Sequence, residues 1–276
     1  MIKSNFLTSI FQRYLGNKDI RNFKNNFFYY IYFRILRNFL VHDLILNIYN
    51  FKVHGSIKKN KTSYFLLKKC EFGDYHELNT IKKISNKNKI LFIDCGCNYG
   101  FYSFYTASLS ERNKIISIEA SKDTSKEFIK NQNLNSFKNV FFFNNAVSNS
   151  VDENVSFYES LNDWESSQTH NNFEFSSELK VKSIKIDSLL QENSLGDYVV
   201  IIKLDVEGNE INVIKGALEV IKKLEPLIII EFSKYIFENQ DNIDYLKNFL
   251  NKYNYSIYDT NYNKKNLKNI LEMLKN

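Results

Sequence analysis

From Lys89 onward, short apolar runs alternate with amphipathic stretches. Ile90-Leu91-Phe92-Ile93 is the first such run. Short runs apolar on both faces read as buried strands of a parallel sheet. The pattern predicts strands over 90–94, 115–119, 140–143, 199–204 and 227–231. Amphipathic stretches predict helices over 100–109, 122–134, 209–224 and 241–253. Strands alternating with helices give an α/β fold with a mostly parallel, doubly wound sheet. Two further strands, 155–158 and 181–186, flank a polar loop over 159–178.

The pattern differs before residue 52. Residues 1–51 read as basic, aromatic-rich helices, a helical N-terminal extension on a main domain over 52–276. The segments 52–54 and 63–67 fit either short strands or a helical lead-in. Phe27 to Phe51 is rich in apolar residues, but Arg34, Arg37, His42 and Asp43 interrupt it short of a membrane span. The start shows no compact apolar core followed by a small-residue cleavage site, so no signal peptide is expected.

Charge sharpens this division. The formal net charge of the 276-residue chain is +6. Before Asn60 the only acids are Asp19 and Asp43, against ten Lys and Arg. A basic amphipathic helix can lie on an anionic membrane surface. The alternative is packing on the main domain or a second subunit, the more usual use of an aromatic stripe. The main domain is nearly charge-balanced, which argues against a nucleic-acid partner. Oligomeric state is left open.

Three cysteines, Cys70, Cys95 and Cys97, argue against a disulfide framework and fit a reducing cytoplasm. Cys95-Gly96-Cys97 lacks further ligands for a metal and reads as small residues packed under a turn. The abundance of Asn, Lys, Ile, Phe and Tyr reads as compositional bias, which weakens any argument from a lone Asn or Lys.

The most informative stretch is Asp94-Cys95-Gly96-Cys97-Asn98-Tyr99-Gly100, between a strand and a helix. Strand, glycine turn and helix make a nucleotide-binding edge. A dinucleotide fold wants Gly-x-Gly-x-x-Gly to cradle pyrophosphate. Here Asn98 stands where a central glycine would be, which suits a ligand without phosphates. Glu119, closing the second strand, can accept hydrogen bonds from both hydroxyls of a ribose.

Three blocks carry a family resemblance. The first is Phe92-Ile93-Asp94-Cys95-Gly96-Cys97-Asn98-Tyr99-Gly100-Phe101-Tyr102-Ser103. The second is Ile118-Glu119-Ala120 with Asn145-Ala146-Val147-Ser148. The third is Ile202-Lys203-Leu204-Asp205-Val206-Glu207-Gly208-Asn209-Glu210, followed by Gly216-Ala217, Pro226 and Ile230-Glu231. Over roughly residues 72–232 the chain resembles the FkbM family of S-adenosylmethionine-dependent methyltransferases. The resemblance implies a Rossmann-like methyltransferase fold with S-adenosylmethionine as cofactor. It implies that Asp94, Gly96, Asn98 and Gly100 surround the methionine moiety. It also implies that Glu119 receives the ribose, and that Asn145 and Ala146 neighbour the adenine. A sugar or glycan precursor as methyl acceptor follows only from what the family often does.

Ligands of open parallel sheets meet the carboxyl ends of the strands. Lys203 and Asp205 sit at such an end, and their two-residue spacing puts both on one side of the strand. Asp205 is the leading candidate for general base or acceptor anchor. Glu207 and Glu231 are expected to orient the acceptor, and Lys203 to neutralise the acids. Glu210 reads as a helix N-terminal acid. A divalent ion on the three carboxylates is chemically feasible, but such triads also serve as simple substrate sites, so no metal is expected. His170, near Trp164 in the polar loop, is a candidate base over the acceptor, with an ordinary surface histidine as the alternative. His76-Glu77 lies ahead of the core and could border the donor site.

Overall fold

The computed structural model describes residues 2–36, 44–55, 61–73, 75–160, 175–190, 197–232, 234–267 and 270. At the N-terminus, α1 (Ile2–Leu15) and α2 (Phe27–Leu36) are joined through a short 3-10 turn, Ile20–Phe23. The helical expectation fails at 44–48 and at 51. β1 (Leu44–Ile48) and β2 (Phe51–Gly55) form an antiparallel hairpin. Period two explains it: Leu44, Leu46, Ile48, Phe51 and Val53 are buried, with less buried residues between them. α3 (Lys61–Lys69) follows, so the segment around 63–67 is helical.

The division drawn between 51 and 52 falls inside the hairpin, at the first residue of β2. Phe11, Phe23, Tyr29 and Phe33 join the same apolar core as Phe92, Phe104 and Phe128. The buried Tyr29 hydroxyl donates to the Leu67 carbonyl at 2.6 Å, which ties α2 to α3.

The main sheet follows. α4 (Tyr75–Ser85) leads into β3 (Lys89–Cys95), α5 (Phe101–Leu109), β4 (Lys114–Ile118), α6 (Lys122–Leu134) and β5 (Val140–Phe143). A small second sheet holds β6 (Ala146–Val147), β7 (Asn154–Ser160) and β8 (Phe175–Ile184) in the order β6-β8-β7. The chain returns through α7 (Ile186–Leu189) to β9 (Tyr198–Leu204), α8 (Glu210–Lys215), α9 (Leu218–Leu224) and β10 (Leu227–Ile230). α10 (Lys234–Phe237), α11 (Gln240–Lys252) and the two-residue strands β11 (Ile257–Tyr258) and β12 (Lys264–Lys265) complete it.

The main sheet has the order β10-β9-β3-β4-β5, and every pair in it is parallel. The chain winds outward from β3 to β5, then crosses to the other side of β3. This doubly wound order places a switch point beside β3, where open α/β sheets bind ligands. Alternation along β3 feeds two cores. Ile90 and Phe92 pack toward α5 and α6, while Leu91, Ile93 and Cys95 pack toward α8, α9 and α11.

Two features depart from the sequence pattern. The expected helix over 209–224 breaks between α8 and α9 at Gly216-Ala217. A Cβ on Gly216 would lie 2.1 Å from the Ser148 carbonyl oxygen, so the chain there is pressed against the end of β6. Second, the hairpin of the extension is clamped onto α6. The His54 N–H donates to Asn131 Oδ1 at 2.7 Å, and the Lys52 N–H donates to Asn135 Oδ1 at 2.8 Å. Among the described residues no helix is long and apolar enough to cross a membrane.

Candidate active site

The turn after β3 is held by its backbone. The N–H groups of Gly96 and Cys97 both donate to the Ile118 carbonyl, at 2.9 and 3.0 Å, which locks the turn to the end of β4. Gly96 has φ +78°, and a Cβ there would lie 1.8 Å from the Asp205 carbonyl oxygen. Gly100 has φ +86°, and its Cβ would press into Phe104 and Phe128. At both positions protein atoms fill the space that a side chain would need. Asn98 also takes a left-handed φ of 50°, which Asn tolerates better than most residues.

Glu119 reaches back across this turn. Its Oε2 accepts the Asn98 N–H at 3.0 Å and its Oε1 accepts the Ser121 N–H at 2.9 Å. The Ala120 N–H also acts on this carboxylate, whose four lone pairs still leave room for a further donor. The residue is 8% exposed, and burial pushes its carboxyl up to about 7 despite these hydrogen bonds. Asn98 Oδ1 is buried with no hydrogen-bond partner among the described residues. An unpaired acceptor in a native interior marks a place for a donor.

Asp94 lies under the turn, buried, with its Oδ2 accepting from Ser103 Oγ at 2.6 Å. Ser103 continues to Ser117 Oγ at 2.7 Å. Register explains the row: Asp94 stands beside Ser117 of β4 and Lys203 of β9. Burial raises the Asp94 carboxyl to about 6, against the lowering influence of Lys203 and Ser103.

Across the switch point, Lys203 Nζ donates to Asp205 Oδ2 at 2.6 Å, with side-chain exposures of 8% and 30%. Nζ also lies 4.7 Å from the centre of the Tyr102 ring. Burial lowers the Lys203 pKa, but Asp205 and Asp94 outweigh it and the net shift is upward. The Tyr102 hydroxyl donates to Glu77 Oε2 at 2.6 Å, which brings α4 into the group. Glu231 follows β10, and its N–H donates to the Leu204 carbonyl at 3.0 Å. Its pKa is raised, first by the negative charge of Asp205 and then by burial. The structure thus brings Lys203, Asp205 and Glu231 together and adds Glu77 and Tyr102.

The other expected residues lie as follows. Glu207 occupies the turn after β9 with φ 52°. Glu210 opens α8 and folds back, its Oε1 accepting the N–H groups of Val206 and Gly208 at 3.3 and 3.1 Å. Asn145 donates to the Lys182 carbonyl at 3.1 Å, and Ala146 is a buried residue of β6, so both tie the second sheet together. The preceding residue, Asn144, donates to the carbonyls of Glu119 and Ala120 at 2.8 and 3.1 Å, just beyond the end of β4. His170 and Trp164 lie outside the described residues. Among the described residues no group of three or more His, Cys, Asp or Glu is arranged to hold a metal ion.

Comparison with known proteins decides the identity of this edge. Residues 94–257, more than half of the chain, match the Methyltransferase FkbM domain. The chain belongs to the FkbM methyltransferase family. Its match begins at Asp94 and takes in Glu119, Lys203, Asp205 and Glu231. No curated protein matches the chain. Among solved structures, this FkbM methyltransferase is similar to the precorrin-6y C5,15-methyltransferase of Geobacter metallireducens GS-15, at 13% identity and TM-score 0.37. That likeness covers 68% of this chain and 75% of the other. It is also similar to a putative rRNA-methylase of Clostridium thermocellum, at 14% identity and TM-score 0.37, covering 64% and 82%. These distant likenesses add nothing to what the topology and the family match already establish.

The residues present fit S-adenosylmethionine, the methyl donor that the family implies. Glu119 offers two oxygens with spare lone pairs, and Asn98 Oδ1 offers a buried acceptor without a donor. An adenosine and an ammonium group carry the complementary N–H and O–H donors.

Proposed function

We propose that this FkbM methyltransferase methylates a hydroxyl of a sugar or glycan precursor, using S-adenosylmethionine held by the Asp94–Gly100 turn and Glu119. The observation that carries this reading is the Lys203–Asp205 pair. It lies on the carboxyl edge of β9, one strand from the donor turn, with Glu231 beside it. S-adenosylmethionine supplies a methyl carbon on a positively charged sulfur, which needs no further activation. The protein's task is then to position the acceptor oxygen and receive its proton. Positioning alone can contribute roughly 7–11 kcal/mol.

Lys203 and a hydrogen bond with Glu231 hold the Asp205 carboxylate in one orientation, and its remaining lone pairs accept a hydrogen bond from the acceptor hydroxyl. Glu231, raised toward neutrality by the Asp205 charge, is suited to exchange a proton near physiological pH. Glu77, fixed by Tyr102, borders the same space. Isothermal titration with S-adenosylmethionine tests the donor half, and absence of binding at millimolar donor defeats it. A screen of nucleotide sugars and oligosaccharides, read as S-adenosylhomocysteine release, tests the acceptor half.

A lipid-linked acceptor is the second reading, and one observation favours it. α2 exposes Phe27 and Phe28, at 70% and 77%, together with Ile31 and the basic Arg34. Its opposite side, Tyr29 and Phe33, is already packed inside. A helix apolar on two faces, in a basic segment, suits the surface of an anionic membrane. Co-sedimentation with phosphatidylserine vesicles should fall sharply in a Phe27→Ser/Phe28→Ser double variant. Equal binding by that variant rules out this contact.

A further inference from the structure

Among the described residues β10 pairs with β9 alone and forms the outer strand of the main sheet. Its open side borders a cavity of about 480 Å³. α11 contributes Leu246 and Leu250 to the wall, and β11 contributes Ile257 and Tyr258. α4 contributes His76, Glu77 and Thr80 on the opposite side. The lining is chiefly aliphatic and aromatic.

Several polar groups in the lining are engaged with one another. Thr80 Oγ1 and the Tyr262 hydroxyl are 2.6 Å apart, and Asp259 pairs with Lys265 at 3.2 Å. Glu77 differs, because it belongs to the acid cluster as well as to the cavity wall. It accepts from Tyr102, whose ring covers Lys203. Ile230 and Phe232 also line the cavity, and Glu231 between them belongs to the acid cluster, so Glu77 is the residue of that cluster that the cavity wall shares. The cavity therefore adjoins the group around Asp205.

Its size and lining are those of a small-molecule pocket, apolar with a few polar groups. A free sugar, hydroxylated on every face, would leave its hydroxyls without partners against these walls. An aryl or alkyl group would not. We propose that the methyl acceptor is an amphiphile. Its hydroxylated head meets Glu77, Asp205 and Glu231, and its apolar part lies in the cavity along β10. This proposal rests on the methyl-transfer reading of the same acid cluster.

The test uses the full chain and two kinds of readout. The neutral probe N-phenyl-1-naphthylamine should bind with saturable fluorescence enhancement. Octyl β-D-glucopyranoside below its micellar concentration should displace it, and free glucose should not. Leu250→Trp, which fills the cavity, should weaken probe binding about tenfold, and Leu250→Phe should weaken it less. Both variants should retain the native circular dichroism spectrum and bind S-adenosylmethionine as the parent does. The proposal fails if the donor binds but the probe does not, or if Leu250→Trp binds the probe equally well. It also fails if the probe binds only after residues 271–276 are removed, because the cavity would then serve the chain's own tail. Loss of donor binding in the parent protein would instead defeat the methyl-transfer reading and leave the probe result to be judged alone.

Discussion

At the ends of β3 and β4, the site is a turn fixed by its backbone. Gly96 and Cys97 bind the Ile118 carbonyl, Glu119 closes onto the Asn98 N–H, and no Cβ fits at Gly96. At the ends of β9 and β10, it is made of side chains. Lys203, Asp205, Glu231, Glu77 and Tyr102 arrive from four separate elements and are held by charge and hydrogen bonds. A backbone cradle tolerates few substitutions and suits a ligand that does not change. A side-chain cluster on the same scaffold can be altered one residue at a time, which suits the acceptor role proposed for it.

The sharpest way to break this comparison is at Asp205. Asp205→Asn keeps the shape and one acceptor for Lys203 but removes the charge. Turnover should fall about 10²–10⁴-fold with donor affinity within about twofold, measured by S-adenosylhomocysteine release and calorimetry. Unchanged turnover would remove Asp205 from the reaction. On the other half, Gly96→Ala forces a Cβ into the Asp205 carbonyl. It should destabilise the protein by roughly 2–4 kcal/mol in urea unfolding and abolish measurable donor binding.

Glu119→Gln is milder. It should weaken S-adenosylmethionine binding by about 10–100-fold, because an amide has one acceptor oxygen where the carboxylate has two. The same residue sets a pH dependence. Ribose hydroxyls bind the carboxylate form, and the free protein's Glu119 titrates at about 7. Donor affinity should therefore rise about tenfold between pH 6 and pH 8, a rise that Glu119→Gln should lack.

Stability of the ligand-free protein should move the other way. Asp94 at about 6 and Glu119 at about 7 both hold protons that the unfolded chain releases near pH 4. Their folded-state penalty is absent below about pH 4 and complete above about pH 7, so their contribution to stability declines through that window. Urea midpoints of parent and Glu119→Gln across this range would expose the Glu119 share. The smallest effect is expected on the extension: Phe28→Ser, at an exposed site, should shift stability by no more than about 0.5 kcal/mol.

The parallel strands were legible because a strand buried on both faces must be apolar throughout, as β3 and β9 are. The glycine turn was legible because close packing and a left-handed φ require Gly at Gly96 and Gly100. The hairpin of β1 and β2 was not, since its apolar residues also suit a basic, aromatic helix. The break at Gly216 depends on Ser148, a contact between distant segments that local periodicity does not register.

The sequence by itself determined the strand–helix alternation, the donor turn and the two-residue spacing that sets Lys203 beside Asp205. These are local properties, fixed by side-chain polarity and by where a Cβ can stand. Only the tertiary structure decided that Asn144 bonds the Glu119 and Ala120 carbonyls while Asn145 holds the second sheet. It alone placed Glu77 and Tyr102 against Lys203 and left a cavity on the open side of β10. Those outcomes follow from sheet order and register, which bring α4 and the carboxyl edges of β3, β9 and β10 together across more than a hundred residues of chain.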